Sequence, residues 1–489
     1  MMGARILRRL RGCTGLCVTL LGAPVLLMAG CMVGPDYHPT KTETKLPDAW
    51  DGTTVAGPVQ PSVATTEVAQ LSEWWNVLND PKLTQLVTDS LKANLDLRTA
   101  ISALRKARAT RDVTASGFWP TVNATGAYSR SGPLGGGRAA DLFQDGLSAS
   151  WQLDFFGSTR RAIESADANV EAAGENIRNV LITVAAEVAT DYVNVRGFQQ
   201  RIQVANDNLK AEQHTAELTR QKFQGGLATA LDVANAEAAV ATTEATIPPL
   251  ETSERQTIYA LSVLLARPPA ALKEELSVPG PIPQAPARVP VGLPSALLQR
   301  RPDIRQSEAL VHAATAQIGV EVAQWYPQFS LTGNLGFESD ALRGLLRSDN
   351  GSWSLGPSVT WPIFTAGRIA ANVEVQNAAQ EQALLAYQKT VLTALQEVES
   401  ALVAFALEQR HRQLLDQAVK SNTRALDLAT QLYTIGVNDF LSVIVAQQAL
   451  LSTQDALQQS NQAIAVDLIA LYNALGGGWE SKPEAQPQQ

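Results

Sequence analysis

Four short stretches of the chain alternate apolar and polar positions with a period of two. In Phe329-Ser330-Leu331-Thr332-Gly333-Asn334-Leu335-Gly336-Phe337 the odd positions are apolar or glycine and the even ones small or polar. Leu147, Ala149, Trp151, Leu153 and Phe155 alternate with Ser148, Ser150, Gln152 and Asp154. Trp353, Leu355, Val359, Trp361 and Ile363 alternate with Ser354, Gly356, Ser358 and Thr360. Val122, Ala124 and Tyr128 do so more weakly with Asn123, Thr125 and Ser129. Four strands of roughly 9–11 residues with this dyad repeat match the pattern of a transmembrane β-barrel. Trp119, Trp151, Trp325, Trp353 and Trp361 sit on or beside these strands, where aromatic girdles mark the bilayer interfaces. A half-buried soluble sheet would need apolar cover, and the rest of the chain offers only polar, Ala- and Gln-rich helices.

Those helices are long. No proline occurs between Pro133 and Pro248, and residues 368–435 contain neither Gly nor Pro. At 1.5 Å per residue, such a run reaches about 100 Å as a helix. Val391, Val398, Phe405, Val419, Leu426 and Tyr433 keep a seven-residue phase, with Arg412 as the one polar interruption. Heptads of this kind predict helices lying along one another. Asp80-Pro81 predicts a helix start, with Asp as the cap and Pro at the first helical position. Arg301-Pro302-Asp303 plays a similar part later.

The chain repeats itself. Asp96-Leu97-Arg98 matches Asp303-Ile304-Arg305, and Phe118-Trp119-Pro120 matches Trp325-Tyr326-Pro327, both at an offset of 207 residues. Further on the offset becomes 210 and holds: Trp151 falls on Trp361, Gly157 on Gly367, Glu187 on Glu397, Gly226 on Gly436 and Leu265 on Leu475. Two copies of one unit, 83–269 and 295–478, are predicted, each reading helix, hairpin, long helix, turn, helix. A connector, 270–294, rich in proline from Pro279 to Pro294, is expected to be irregular.

The N-terminus explains the one cysteine outside a signal. Residues 1–30 carry Arg5, Arg8, Arg9 and Arg11, then an apolar run from Leu16 to Ala29, then Gly30. This is the layout of a secretory signal, and its apolar run is shorter than the ~20 residues of a spanning helix. Removing it leaves 459 of 489 residues and moves the formal charge from −8 to −12, which argues against nucleic acid as a partner. Cys13 and Cys17 leave with the signal, so no disulfide framework is expected. No transmembrane helix is expected after residue 30.

Four strands cannot close a barrel, and an open edge does not survive in lipid. Copies must therefore associate. Two would give eight strands with a filled interior and three would give twelve, with room for a lumen.

Met28-Ala29-Gly30-Cys31 resembles a lipobox, in which Cys31 is acylated. Cys31-Met-Val-Gly-Pro-Asp-Tyr37, Trp74-Trp75 with Asp80-Pro81-Lys-Leu83, and Arg300-Arg301-Pro302-Asp303-Ile304-Arg305 resemble motifs of outer-membrane efflux lipoproteins. So does Gly319-Val-Glu-Val-Ala-Gln-Trp-Tyr-Pro327 followed by Phe329-Ser-Leu-Thr-Gly333. These are the OprM/NodT-type members of the TolC family, and the likeness covers 31–479. It implies a mostly helical homotrimer with a 12-stranded outer-membrane barrel, continuing into a 12-helix barrel in the periplasm. It also implies a periplasmic membrane-fusion adaptor, an inner-membrane RND transporter and outer-membrane lipid as partners. An equatorial belt would form from 31–82, the connector and the tail 479–489.

Within that resemblance, two turns form the periplasmic tip that meets the adaptor: Gly225, Gly226 and Thr229 in one, Gly436, Val437, Asn438 and Asp439 in the other. Gly226 and Gly436 have the context of C-cap residues needing positive φ. Asp232 and Tyr433 match positions of the family's constriction. Ser442 and Val445 stand where carboxylates are common, and Asn438 where a basic residue can occur. Catalysis finds no support: His38, His214, His312 and His411 are scattered, and the runs Gly135–Gly137 and Gly476–Gly478 lack the Lys-Ser/Thr of a phosphate loop. No cofactor is expected. Three readings stay open: an exit duct for an RND pump, the same duct for ABC-driven protein secretion, and a non-conducting periplasmic adaptor or structural lipoprotein.

Overall fold

A computed structural model describes residues 32–39, 47–54, 61–65 and 71–479. The signal segment, the lipidation candidate Cys31 and the tail beyond Trp479 lie outside the described residues. In chain order the elements are β1 (Val63–Thr65), α1 (Pro81–Ala93), α2 (Leu95–Ser116), β2 (Thr121–Ser131), β3 (Ala140–Leu153), α3 (Ser158–Gln224) and α4 (Ala230–Leu264). There follow α5 (Lys273–Leu276), β4 (Arg288–Pro290), α6 (Pro294–Arg300), α7 (Pro302–Val322), β5 (Gln328–Ser339), β6 (Gly351–Thr360), α8 (Arg368–Thr434) and α9 (Phe440–Ala474). They fall into two compact units. One comprises Met1–Lys41, Ala103–Ala173 and Gln306–Tyr387; the other holds the remainder.

The first unit is built on a four-stranded antiparallel sheet in the order β2-β3-β5-β6. Its register aligns the period-two pattern across strands. Val122 faces Ala149, Trp151 faces Leu331, Leu335 faces both Leu147 and Trp353, and Phe329 faces Leu153 and Val359. Between these rows Asn123, Ser148, Asn334 and Ser354 form one polar row, and Gln152, Ser330 and Ser358 another. The sheet therefore has one apolar and one polar face. Two strands exceed the expected length: β3 has 14 residues because pairing continues to Ala140, and β5 has 12. Phe155, Trp361 and Ile363, read as continuing the alternation, lie past the strand ends, where Pro362 cannot donate to a ladder.

The second unit is helical. Asp80 caps α1 as expected, its carboxylate accepting from the amides of Lys82 and Leu83, with Pro81 in the first turn. The helical run then breaks at Asn94, whose side chain accepts from the amides of Asp96 and Leu97 and so starts α2. Burial pushes the Tyr192 phenol up to about 12. Its hydroxyl donates to Asp80 at 2.8 Å and accepts from Arg196 at 3.1 Å. Arg196 and Gln199 in turn donate to the carbonyls of Val278 and Leu276, fastening the connector to α3. The connector is less irregular than its prolines suggest. It contains α5, which falls in the proline-free stretch before Pro279, and the strand β4, which ends on Pro290 and pairs in parallel with β1 at the sheet edge, where a proline is tolerated. Gly197 allows α3 and α9 to approach closely: a Cβ there would lie 2.2 Å from the Gln462 amide oxygen.

In α8, Val391, Val398 and Phe405 of the heptad stripe are buried, as is Tyr433, while Val419 and Leu426 are half-buried. One expectation needs correction. An 18-residue window of α8 reaches a mean hydropathy of 1.4, so among the described residues one helix is long and apolar enough to cross a membrane. That window is 39 % buried, and the buried stripe accounts for part of its apolar character.

Two half-buried carboxylates on these helices are held neutral at mildly acid pH. Burial, and secondly the charge of Glu187, pushes Asp191 up to about 6; burial and then Glu408 do the same for Asp467. A carboxyl whose folded-state value lies above its unfolded one keeps a proton on folding between about pH 4 and pH 6, so it penalises stability as pH rises through that window. The change Asp191→Asn should leave stability unaltered below pH 4 and raise it by about 1 kcal/mol above pH 6, after discounting for solvent screening. Urea unfolding at pH 4 and pH 7.5 measures this; equal shifts at both values would contradict it.

Candidate functional site

Two places gather the residues singled out in the sequence: the ends of the sheet and the paired turns that join the long helices to the shorter ones. At one end of the sheet stand Trp119, just before β2, Trp151 near the end of β3, Trp325, just before β5, and Trp361, just after β6. Trp151 donates its indole N–H to the Phe118 carbonyl at 2.8 Å, and Trp361 to the Trp325 carbonyl at 3.1 Å. Phe155 packs edge-on to Phe329, and Phe156 stacks on Tyr326 at 4.6 Å. Trp353 lies at the opposite end, facing Leu335. Sequence reasoning missed its companions. Tyr128 packs on Phe143 with centroids 4.8 Å apart, and Phe337 lies against Gly351. Phe143 precedes Trp151, and Trp353 precedes Trp361, by eight residues each. At ~3.3 Å per residue, the two rings of each pair thus stand about 26 Å apart along their own strand. That shared spacing was the signal in the sequence that could have found them.

The two turns close alike. Gly226 has φ +74° and Gly436 φ +77°, as their C-cap context predicts. Leu227 and Val437 donate back to the carbonyls of Lys222 and Leu432, while Gly226 and Gly436 donate to those of Phe223 and Tyr433. Both are full Schellman motifs.

The next helices start differently. Thr229 caps α4: its hydroxyl accepts the Asp232 amide, and the Asp232 carboxylate accepts the Thr229 amide at 2.8 Å. At the matching position in α9 the cap is Asp439, which accepts the amide and the hydroxyl of Ser442. The constriction candidates Asp232 and Ser442 are therefore each engaged with a cap residue on their own turn. Gly225 and Asn438 complete the two turns.

Tyr433 is buried rather than presented to solvent. Its ring packs on Phe440 at 5.2 Å, its hydroxyl donates to Thr219, and the Lys222 ammonium lies 4.0 Å from its centroid. Lys222 also donates to the Tyr433 carbonyl at 2.9 Å. This lysine, 211 residues away in sequence, is the basic partner that the sequence reading did not find. Ala216, Ala236, Ala429, Val443 and Ile444 close a small apolar core around the pair. Beyond that core, Leu227, Leu231, Ile435, Val437 and Val445 are exposed. Among the described residues no group of His, Cys, Asp and Glu is arranged to hold a metal ion.

The change Lys222→Met keeps the aliphatic stem and removes the ammonium. It should speed hydrogen exchange at the Gly436 and Val437 amides about tenfold, as loss of one charged hydrogen bond implies, while leaving the Gly226 amide unchanged. Equal acceleration at both turns would show that the lysine holds more than its own contact.

Comparison with known proteins gives these features a common setting. The family model described as outer membrane efflux protein matches residues 86–267 and 293–477. Nodulation protein T of Rhizobium leguminosarum bv. viciae is 34 % identical over 472 residues, covering 95 % of this chain and 94 % of the relative. The probable efflux pump outer membrane protein TtgC of Pseudomonas putida is 31 % identical over 483 residues, covering 96 % and 97 %. The solved structure of the outer-membrane channel OprN superposes with a TM-score of 0.82 at 33 % identity, covering 92 % of this chain and all of that one. The chain belongs to the outer membrane efflux protein family.

Proposed function

We propose that this protein is the passive outer-membrane exit duct of a tripartite efflux system. The observation that carries the reading is the sheet. One face is apolar and the other polar, aromatic rings cluster toward the strand ends, and among the described residues β2 and β6 each pair on one side only. In hydrocarbon those free backbone groups need strands from other copies. Three chains give twelve strands with the polar faces around a lumen and the apolar faces toward lipid. Trp119, Trp151, Trp325 and Trp361 make one girdle; Trp353 with Tyr128, Phe143 and Phe337 makes the other.

The tip turns, with their exposed apolar residues, meet a periplasmic adaptor that is fed by an inner-membrane RND transporter. TtgC, named as an efflux pump outer membrane protein, supports the efflux role. The cargo is a small molecule: a drug, a toxic compound or a metal ion. Lipid attached through Cys31 anchors the chain to the outer membrane. The Lys222–Tyr433 contact ties the ends of α3 and α8 at the tip and resists their separation when the duct opens.

The change Gly436→Pro removes the amide that donates to the Tyr433 carbonyl and forbids the positive φ of that position. It should abolish efflux, read as loss of resistance to an exported compound, while membrane insertion persists. Lost insertion would mean that the turn is not remote from the membrane-embedded part. Capture of the chain from mildly cross-linked cells, followed by mass spectrometry, tests the partners. An adaptor with an RND transporter is expected. Recovery of an ABC transporter would reassign the duct to protein secretion, and a particle image without a barrel would make it a non-conducting lipoprotein.

A further inference from the structure

The segment that follows the acylation candidate is held far more firmly than a tether requires. Arg161, 1 % exposed, directs its guanidinium at it: Nε donates to the Val33 carbonyl at 3.2 Å, and Nη2 to the Gly34 carbonyl at 3.4 Å and the Asp36 carboxylate at 2.6 Å. Nη1 is steadied by Glu164 at 2.8 Å, which also meets His312 Nε2 at 3.1 Å. The His312 ring stacks on Tyr37 with centroids 4.2 Å apart and planes 14° from parallel, and the Tyr37 hydroxyl donates to Glu308. The Val33 amide donates to the Phe156 carbonyl, just past the end of β3.

Glycines shape the seat. Gly34 has φ +93°, and a Cβ there would come 2.5 Å from the Gly319 Cα; a Cβ on Gly319 would press on the Arg161 side chain, and one on Gly157 would meet Met32. Backbone against backbone leaves no room for adjustment at Gly34.

We propose that Val33–Tyr37 is an orienting clamp, with Arg161 and His312 as the positioning residues that seat it. The proposal rests on the reading of Cys31 as acylated and of the sheet as membrane-embedded. Acyl chains supply affinity for the bilayer and no orientation about the anchor. The clamp supplies the orientation: it fixes Met32, the first residue after the anchor, against Gly157 at the tryptophan-rich end of the sheet. Attachment to lipid then presents that end of the sheet to the membrane surface at one angle, and raises the effective concentration of correctly aligned copies for closing the barrel. The partner this surface fits is thus the chain's own lipid-modified end, held in cis.

The test uses the full-length acylated protein in outer membranes and two independent variants. Gly34→Ala leaves every side chain of the clamp in place, and Asp36→Asn with Tyr37→Ala leaves the helices and the Arg161–Glu164 pair intact. Both should remain membrane-attached. In both, the Val33 amide should exchange about tenfold faster or more, as loss of a charged hydrogen bond implies, and the heat-modifiable, detergent-resistant oligomer should fall at least in proportion. Rapid Val33 exchange with a normal oligomer yield would overturn the clamp's role in alignment. Unchanged exchange would show that these contacts do not hold the segment. If the unaltered protein forms no heat-modifiable oligomer, it is the duct reading that fails.

Discussion

On the proposed reading the sheet lies in hydrocarbon, where a backbone amide has nothing to bond to except another backbone group, and this constraint organises the molecule. Four strands satisfy one another internally and leave β2 and β6 each open on one side. The dyad alternation of their residues answers the same constraint from the side-chain direction. On that reading a sheet between lipid and water must be apolar on one face throughout its height, and Leu147, Trp151, Leu331, Leu335 and Leu355 share one face. Helices have no such difficulty, since each closes its own hydrogen bonds. That freedom lets α3 and α8 run to 67 residues apiece with a polar composition.

Much of this could be read from the chain because the constraints are local or periodic. Period two gave strands and period seven gave packed helices. Asp80 with Pro81, and the glycines at 226 and 436, worked as punctuation whose physics does not depend on distant residues. The misreadings share a different cause. Asn94 breaks a helical run through a side chain that competes with the backbone, which composition does not betray. Prolines do not make the connector irregular throughout: a four-residue helix precedes Pro279, and a three-residue strand ends on Pro290. The apolar window in α8 shows in a running mean of hydropathy and not in single heptad positions.

Contacts between distant residues were the least legible. Lys222 with Tyr433, and Arg161 with Val33–Asp36, join residues more than a hundred positions apart, and no periodicity announces them. Each is marked afterwards by something small: a lysine one turn before a C-cap glycine, or an arginine four residues past a glycine that opens a long helix. In both cases the cation serves main-chain carbonyls as well as a side chain, so its role is geometric more than electrostatic.

The two caps at the tips carry a further consequence. Thr229 with Asp232 and Asp439 with Ser442 each join a hydroxyl to a carboxylate, with donor and acceptor exchanged. Each helix start keeps one hydroxyl and one carboxylate, yet the negative charge has moved three residues, almost a full turn, between the halves. A duplicated unit is usually thought to diverge by relaxing its requirements. Here the hydroxyl–carboxylate pair was kept and its assignment reversed, so the two helix starts present different electrostatic profiles to whatever approaches them.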